Sequence, residues 1–496
     1  DYSYLGRGTI VEASVTQPGL KYTLVGTVGG NDPDTGDIYR GLDRFGRIKD
    51  LLWLLSLTSI ATDRFTYGYD RNGNRLYRNN LVNAAFGELY HASGAGNGYD
   101  PLNQLTAFAR GVLSASSPGG VLDTVASPIH GQGWVLDATG NWDCLSTDGA
   151  VQRRTHNPRN QITSLTGQTT PGYDGNGNMN VDQTGKTLVY DAWNRLVRVQ
   201  AVSGATLVSY QHDALGRRVV EVRGSVNTDL YYSVGWQVVE EREGALVRSQ
   251  YVWSQMYIDS LVLRDRDVAG NGTLGERLYV QQDGNWNVTA LVTQSGSLVE
   301  RYVYDPYGLV TPLSSNWQVL SSTGYSWVYY HQGSRYDSSG GLQHFRKRDL
   351  ASLLGRWIQL DPLHHLAGDY NWYRYLANHP SVATDAFGTE ERANKFVREV
   401  STVKPGDWPI GSGIQIDVPP GVRTFAPWLR EFYPKLIPPI GGGALCFTWE
   451  TVIGKFQRTG DPIFLELLPG GCGIAKREWK TLGTGLDYLF EPPLGG

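Results

Sequence analysis

The sequence predicts a nearly all-β fold built of stacked β-hairpins, with a small α+β domain at the C-terminal end. Three observations carry that expectation. A short Tyr-Asp tract followed by Gly or Asn recurs along roughly residues 1–388. The chain holds 61 Gly, 29 Tyr and 15 Trp but only 19% charged residues, which favours strands and tight turns over helices. Beyond residue 388 the tracts stop and proline becomes dense, so a different domain begins there.

The tract reads Tyr69-Asp70-Arg71-Asn72-Gly73-Asn74-Arg75-Leu76, and again Tyr173-Asp174-Gly175-Asn176-Gly177-Asn178-Met179. Variants are Tyr190-Asp191-Ala192-Trp193-Asn194-Arg195-Leu196 and His212-Asp213-Ala214-Leu215-Gly216-Arg217-Arg218. Weaker copies begin at Tyr99-Asp100, Asp137, Tyr304-Asp305 and Tyr336-Asp337. In each, Asp caps a turn by accepting backbone N–H groups, and Gly or Asn supplies the positive φ that the hairpin needs. The flanks alternate apolar and polar, as in Leu196-Val197-Arg198-Val199, which is strand periodicity. One such hairpin cannot bury its apolar face alone and must stack on its neighbours. A twelve-residue calcium-loop pattern is missing from these Asp tracts. Asp265-Arg266-Asp267-Val268-Ala269-Gly270-Asn271-Gly272 looks like a worn cation loop and reads as a solvated turn.

These tracts resemble the YD repeats of bacterial Rhs proteins, of the C component of insecticidal toxin complexes and of animal teneurins. The resemblance implies that the hairpins spiral into a large hollow β-shell, a β-cage or barrel. It divides the chain into a repeat shell (1–335), a shell-closing core (336–388) and a variable passenger domain (389–496). The core carries its most specific signal. Leu354-Gly355-Arg356-Trp357-Ile358-Gln359-Leu360-Asp361-Pro362, Asn371-Trp372-Tyr373-Arg374-Tyr375, Asn378-His379-Pro380 and Asp385-Ala386-Phe387-Gly388 follow in the order of the Rhs-associated core motif.

In that family the core cuts the backbone just after the motif. The resemblance makes Asp361 and Asp385 an aspartyl-protease-like pair, with the cut at Thr389–Glu390. Two neighbouring carboxylates cannot both ionise, so one stays protonated and polarises the carbonyl while the other activates water. Arg356 either biases that sharing or anchors the segment. Read alone, each Asp is also an ordinary turn cap. The chain departs from the motif in three places. Ala386 replaces a proline, Thr389 replaces a leucine, and Arg346-Lys347-Arg348-Asp349-Leu350 stands where a Tyr-rich strand is usual.

In the passenger, 391–400 reads as a short charged helix and 426–435 as a second. Pro419-Pro420 and Pro438-Pro439 read as breaks, with strands at 444–449 and 463–468. Short helices are expected only in the core and the passenger. All nine His residues precede residue 380, so the passenger lacks the His of zinc deaminases and of Ser-His-Asp or Cys-His hydrolases. Glu450, Asp461, Glu466 and Arg430 would suit carboxylate-based transfer but read first as surface charges. Cys446 and Cys472 either bridge or stay as buried thiols, and Cys144 stands apart. No cofactor and no metal site is expected. A net charge of −4 disfavours nucleic acid as partner of the shell, and the longest apolar run, 51–57, is too short for a bilayer span. With Asp1 first and no signal peptide, the chain reads as a processed product or a fragment, which says nothing about secretion; the resemblance implies a secreted or surface bacterial protein. Its expected partners are its own passenger as enclosed cargo, and an immunity protein or a cell-surface partner.

Overall fold

Each repeat Asp folds its own turn. In the computed structural model Asp213 Oδ1 accepts the N–H groups of Leu215 and Arg217, both at 2.9 Å, while Arg217 Nε returns to Asp213 Oδ2 at 2.6 Å. Asp191 does the same with Trp193 and Arg195, and Asp174 with Asn176 and Asn178. The fourth residue of every such turn is left-handed: Gly73, Gly177, Asn194 and Gly216 have φ between 61° and 92°. Trp236, Trp286 and Trp317 hold the same conformation, at φ of 64° to 65°, with the Gly or Asn one residue earlier, at Gly235, Asn285 and Asn316.

The structure describes residues 1–389 except 6–8, 25–40, 57 and 92–97. Beyond these it describes the strands Arg392–Ala393, Ile414–Asp417, Ile437–Ile440 and Ala444–Phe447. Hairpins joined by the turns pair antiparallel with their sequence neighbours. One sheet has twelve strands, from Tyr2–Leu5 to Ile162–Leu165, and a second has fourteen, from Gly172–Tyr173 to Val310–Ser314. A register shift marks most turns, as between Val189 and Tyr190, because five turn residues add one more than a flush hairpin holds. Among the described residues both sheets are open at their edges, so the expected cage is not a closed barrel there.

Buried polar pairs join the two sheets. Arg78 bonds Glu88 at 2.6 Å in its own sheet and also pairs with Asp283 of the other. Arg301 pairs with Asp63 at 2.6 Å, and Arg75 bonds Asn285 at 2.6 Å. The closing core is a four-stranded sheet: Arg335–Asp337, Leu342–Phe345, Arg348–Ala351 and Arg356–Trp357. Phe345, Trp357 and Tyr375 of this core pack with Trp134, Trp142 and Tyr307 of the repeats in one buried cluster. Further polar contacts of the core go to repeat turns. Asn371 Nδ2 donates to Asn141 Oδ1 at 2.8 Å, Asn378 Nδ2 to Gly140 O at 2.8 Å, and Tyr373 Oη to Gly177 O at 2.5 Å.

The structure corrects several expectations. Short 3₁₀ turns also lie among the repeats, at Ala84–Phe86 and His331–Gly333. Arg392–Ala393, placed in a charged helix, is a strand paired with Ala383–Thr384; edge pairing outweighs helix propensity over so few residues. Pro438-Pro439, read as a break, lies inside Ile437–Ile440, an edge strand whose missing N–H groups cost no ladder bond because its register shifts there. Ala444–Phe447 is a strand as expected and forms the centre of that three-stranded sheet. The proposed helix at 426–435, the strand at 463–468, and Arg430, Glu450, Asp461, Glu466 and Cys472 lie outside the described residues. The chain divides into two compact units, Asp1–Val397 and Arg398–Gly496.

Removing the carboxylate in Asp213→Ala is expected to cost about 1–2 kcal/mol, the range for a lost N–H cap, read by chemical denaturation. A second expectation concerns acid. His331 is fully buried, bonded to Asn287 Oδ1 at 2.8 Å and Tyr375 Oη at 3.0 Å, and burial lowers its pKa to about 3. The unfolded imidazole protonates near about pH 6.5. His331 therefore contributes its full stability above that pH and loses it as pH falls toward about 3. His331→Gln is expected to flatten the acid limb of stability by up to about 1.4 kcal/mol per pH unit.

Candidate functional site

Arg348 sits where the end of the closing core folds back on its hairpin. It is the first residue of Arg348–Ala351 and is 4% exposed. Its Nη2 lies 2.7 Å from Asp361 Oδ2 and 3.8 Å from Asp385 Oδ2. Both carboxylates are themselves buried. The two Asp residues named from the motif thus face one guanidinium nitrogen.

Local backbone holds each of them. Asp361 Oδ1 accepts the Leu363 N–H at 2.8 Å, starting the turn that leads into His364–Ala367. Asp385 Oδ1 accepts the N–H groups of Phe387 at 3.2 Å, Gly388 at 2.7 Å and Thr389 at 3.1 Å. Burial pushes the Asp361 carboxyl up, against the pull of Arg348 and the Leu363 N–H. Burial brings Arg348 down to about 10, opposed by the two carboxylates.

Three consecutive residues grip three consecutive carbonyls ahead of the expected cut. Arg346 Nη1 donates to Ala386 O, the Lys347 N–H to Phe387 O at 3.0 Å, and Arg348 Nε to Gly388 O. Arg346 is fixed by a two-pronged pair with Asp259 of the repeats and lies over the Phe387 ring, which also meets Trp236 edge-on. Gly388 has φ of 71°, and a Cβ there would lie 2.8 Å from Phe345 O, so this position requires glycine. Thr389 is the last residue of this segment that the structure describes; Glu390 lies outside the described residues.

Arg356 goes elsewhere. Its guanidinium donates to Asn160 O and stacks on Tyr373 at 4.8 Å, an anchor onto the repeats without an ion pair to either Asp. Arg348 and Arg346 were missed because the basic tract 346–350 reads as a departure from the motif. Only the hairpin turn at Arg346, with φ of 56°, brings it against residues 386–388. The suspected cation loop is a braced turn: Asp267 accepts Gly270 and Gly272 N–H groups and pairs with Arg248, and Asp265 pairs with Arg277.

Comparison with known proteins fits this architecture. No family model matches the chain. It is 26% identical over 289 residues to the tRNA3(Ser)-specific nuclease WapA of Bacillus spizizenii, covering 54% of this chain and 11% of that protein. It is 28% identical over 214 residues to chicken (Gallus gallus) Teneurin-1, covering 41% of this chain and 7% of that protein. The chain is a relative of the YD-repeat proteins. Its fold matches the solved Photorhabdus luminescens Tc holotoxin pore with the TccC3-D651A mutation, at a TM-score of 0.60 and 14% identity. That match covers 79% of this chain and 19% of the solved one. The chain therefore spans only a small part of each YD-repeat relative it matches. Among the described residues no helix is long and apolar enough to cross a membrane.

Arg348→Met would leave two buried carboxylates without their cation. It is expected to destabilise the fold by about 3–5 kcal/mol in chemical denaturation, the cost of breaking a buried pair from one side.

Proposed function

We propose that the chain is the closing part of a toxin-type YD-repeat shell that carries residues 390–496 as cargo, and that Asp361, Asp385 and Arg348 cut the main chain at Thr389–Glu390. The observation that carries this reading is Arg348, which faces both carboxylates and also holds the carbonyl of Gly388, one residue ahead of that bond. Asp361, raised by burial, holds the proton and polarises the Thr389 carbonyl. Asp385, already bonded to the Thr389 N–H, takes a proton from the attacking water. The tetrahedral adduct collapses as the C–N bond breaks, and the proton leaves with the amine of Glu390. Arg346, Lys347 and Arg348 position the preceding three residues for this step. The cargo reading draws on the WapA likeness, since that relative is a nuclease. An immunity protein is then the expected partner, and secretion or surface display the expected location.

A second reading has its own support. The teneurin likeness, and the turn-capping bonds that both Asp residues make, suit a structural or adhesive surface protein in which Arg348 only clamps the end of the core.

Intact-mass measurement on the expressed full chain separates the two. Cleavage predicts a fragment beginning at Glu390, absent from Asp361→Asn and Asp385→Asn variants that still melt cooperatively. A single uncut polypeptide from the unaltered chain would sink the cleavage reading and leave the adhesive one. Growth inhibition by residues 390–496 expressed alone tests the cargo.

A further inference from the structure

One repeat departs from the rest in a way its turn does not need. Counting six residues on from the turn Asp, the four fullest copies have Leu76, Asn180, Val197 and Val219, whereas the copy starting at Asp137 has Asp143. Across the next hairpin, at the end of Ala150–His156, stands His156. One ligand atom each of Asp137, Asp143 and His156 lies within 4.8 Å of the others.

The imidazole is the informative member. Its side chain is 4% exposed, yet neither Nδ1 nor Nε2 has a hydrogen-bond partner. A buried ring with both nitrogens unsatisfied is costly unless something else takes them up. Nδ1 lies 3.8 Å from Asp143 Oδ1, too long for a hydrogen bond. It is a fitting span for an ion bound at about 2.0–2.2 Å from each. Asp137 Oδ1 is engaged by Thr139 N, Thr139 Oγ1 and Asn141 N, while Oδ2 accepts only Asn141 Nδ2 and keeps a free lone pair.

We propose that Asp137, Asp143 and His156 form a binding site for a divalent zinc-class metal ion, with water completing the shell. One imidazole and two carboxylates are a donor set for such ions, and two carboxylates balance the charge. The ion would tie the end of His130–Leu136 to the two strands that follow. It would brace the Asn141 and Asn160 turns, to which Asn371 and Arg356 of the closing core bind.

The test is Zn²⁺ titration of the chelator-stripped full chain by calorimetry, with Co²⁺ visible absorption as a second readout. The unaltered chain is expected to bind one equivalent, and Co²⁺ to show a four- or five-coordinate spectrum. His156→Gln and Asp143→Asn are each expected to weaken binding by about a hundredfold or more. Asp143 is half-exposed and outside the turn's hydrogen bonds, so Asp143→Asn reads out binding even if His156→Gln folds poorly. His364→Gln with His365→Gln is expected to leave affinity unchanged. No binding at one equivalent, or unchanged affinity in Asp143→Asn, would overturn the site.

Discussion

A carboxylate folded back onto its own five-residue turn is the constraint on which the rest of this structure depends. It binds the N–H groups two and four residues on, and the fourth residue must be left-handed for both bonds to form. That geometry sets the bulge at each turn and therefore which strand residues face inward. Repeated through the chain, it makes consecutive hairpins pair edge to edge. Such a design builds very large sheets cheaply, because every addition contacts only its neighbours.

The same turns supply a second surface. Their carbonyl and amide groups at Gly140, Asn141, Asn160 and Gly177 receive the closing core, whose aromatic residues fill the space between the sheets. The core is thus positioned by the repeats rather than by its own small sheet. This explains why Arg356 serves as an anchor: its guanidinium reaches the Asn160 carbonyl of a repeat turn. Where the core ends, the chain turns back along 346–348, and its last carbonyls are gripped in order by three basic residues.

Asp361 and Asp385 were legible because an ordered motif surrounds them. Arg348 was not, because a run of basic residues reads as solvated surface until a hairpin folds it inward against two carboxylates. Trp236, Trp286 and Trp317 escaped for a related reason. Their turns put a bulky side chain at the left-handed position, against its preference, while the Gly or Asn stands one residue earlier. The cluster of Asp137, Asp143 and His156 spans two hairpins, so no single tract shows it.

The sequence by itself determined the local units: an Asp cap, a left-handed Gly or Asn, and alternating strands are short-range chemistry written in five to ten residues. The tertiary structure alone decided which of these units meet. Arg78 finding Asp283, Arg301 finding Asp63 and Arg348 finding Asp361 and Asp385 depend on how sheets stack and where they stop. Among the described residues both sheets stay open, since closure requires partner edges that local turn chemistry cannot specify.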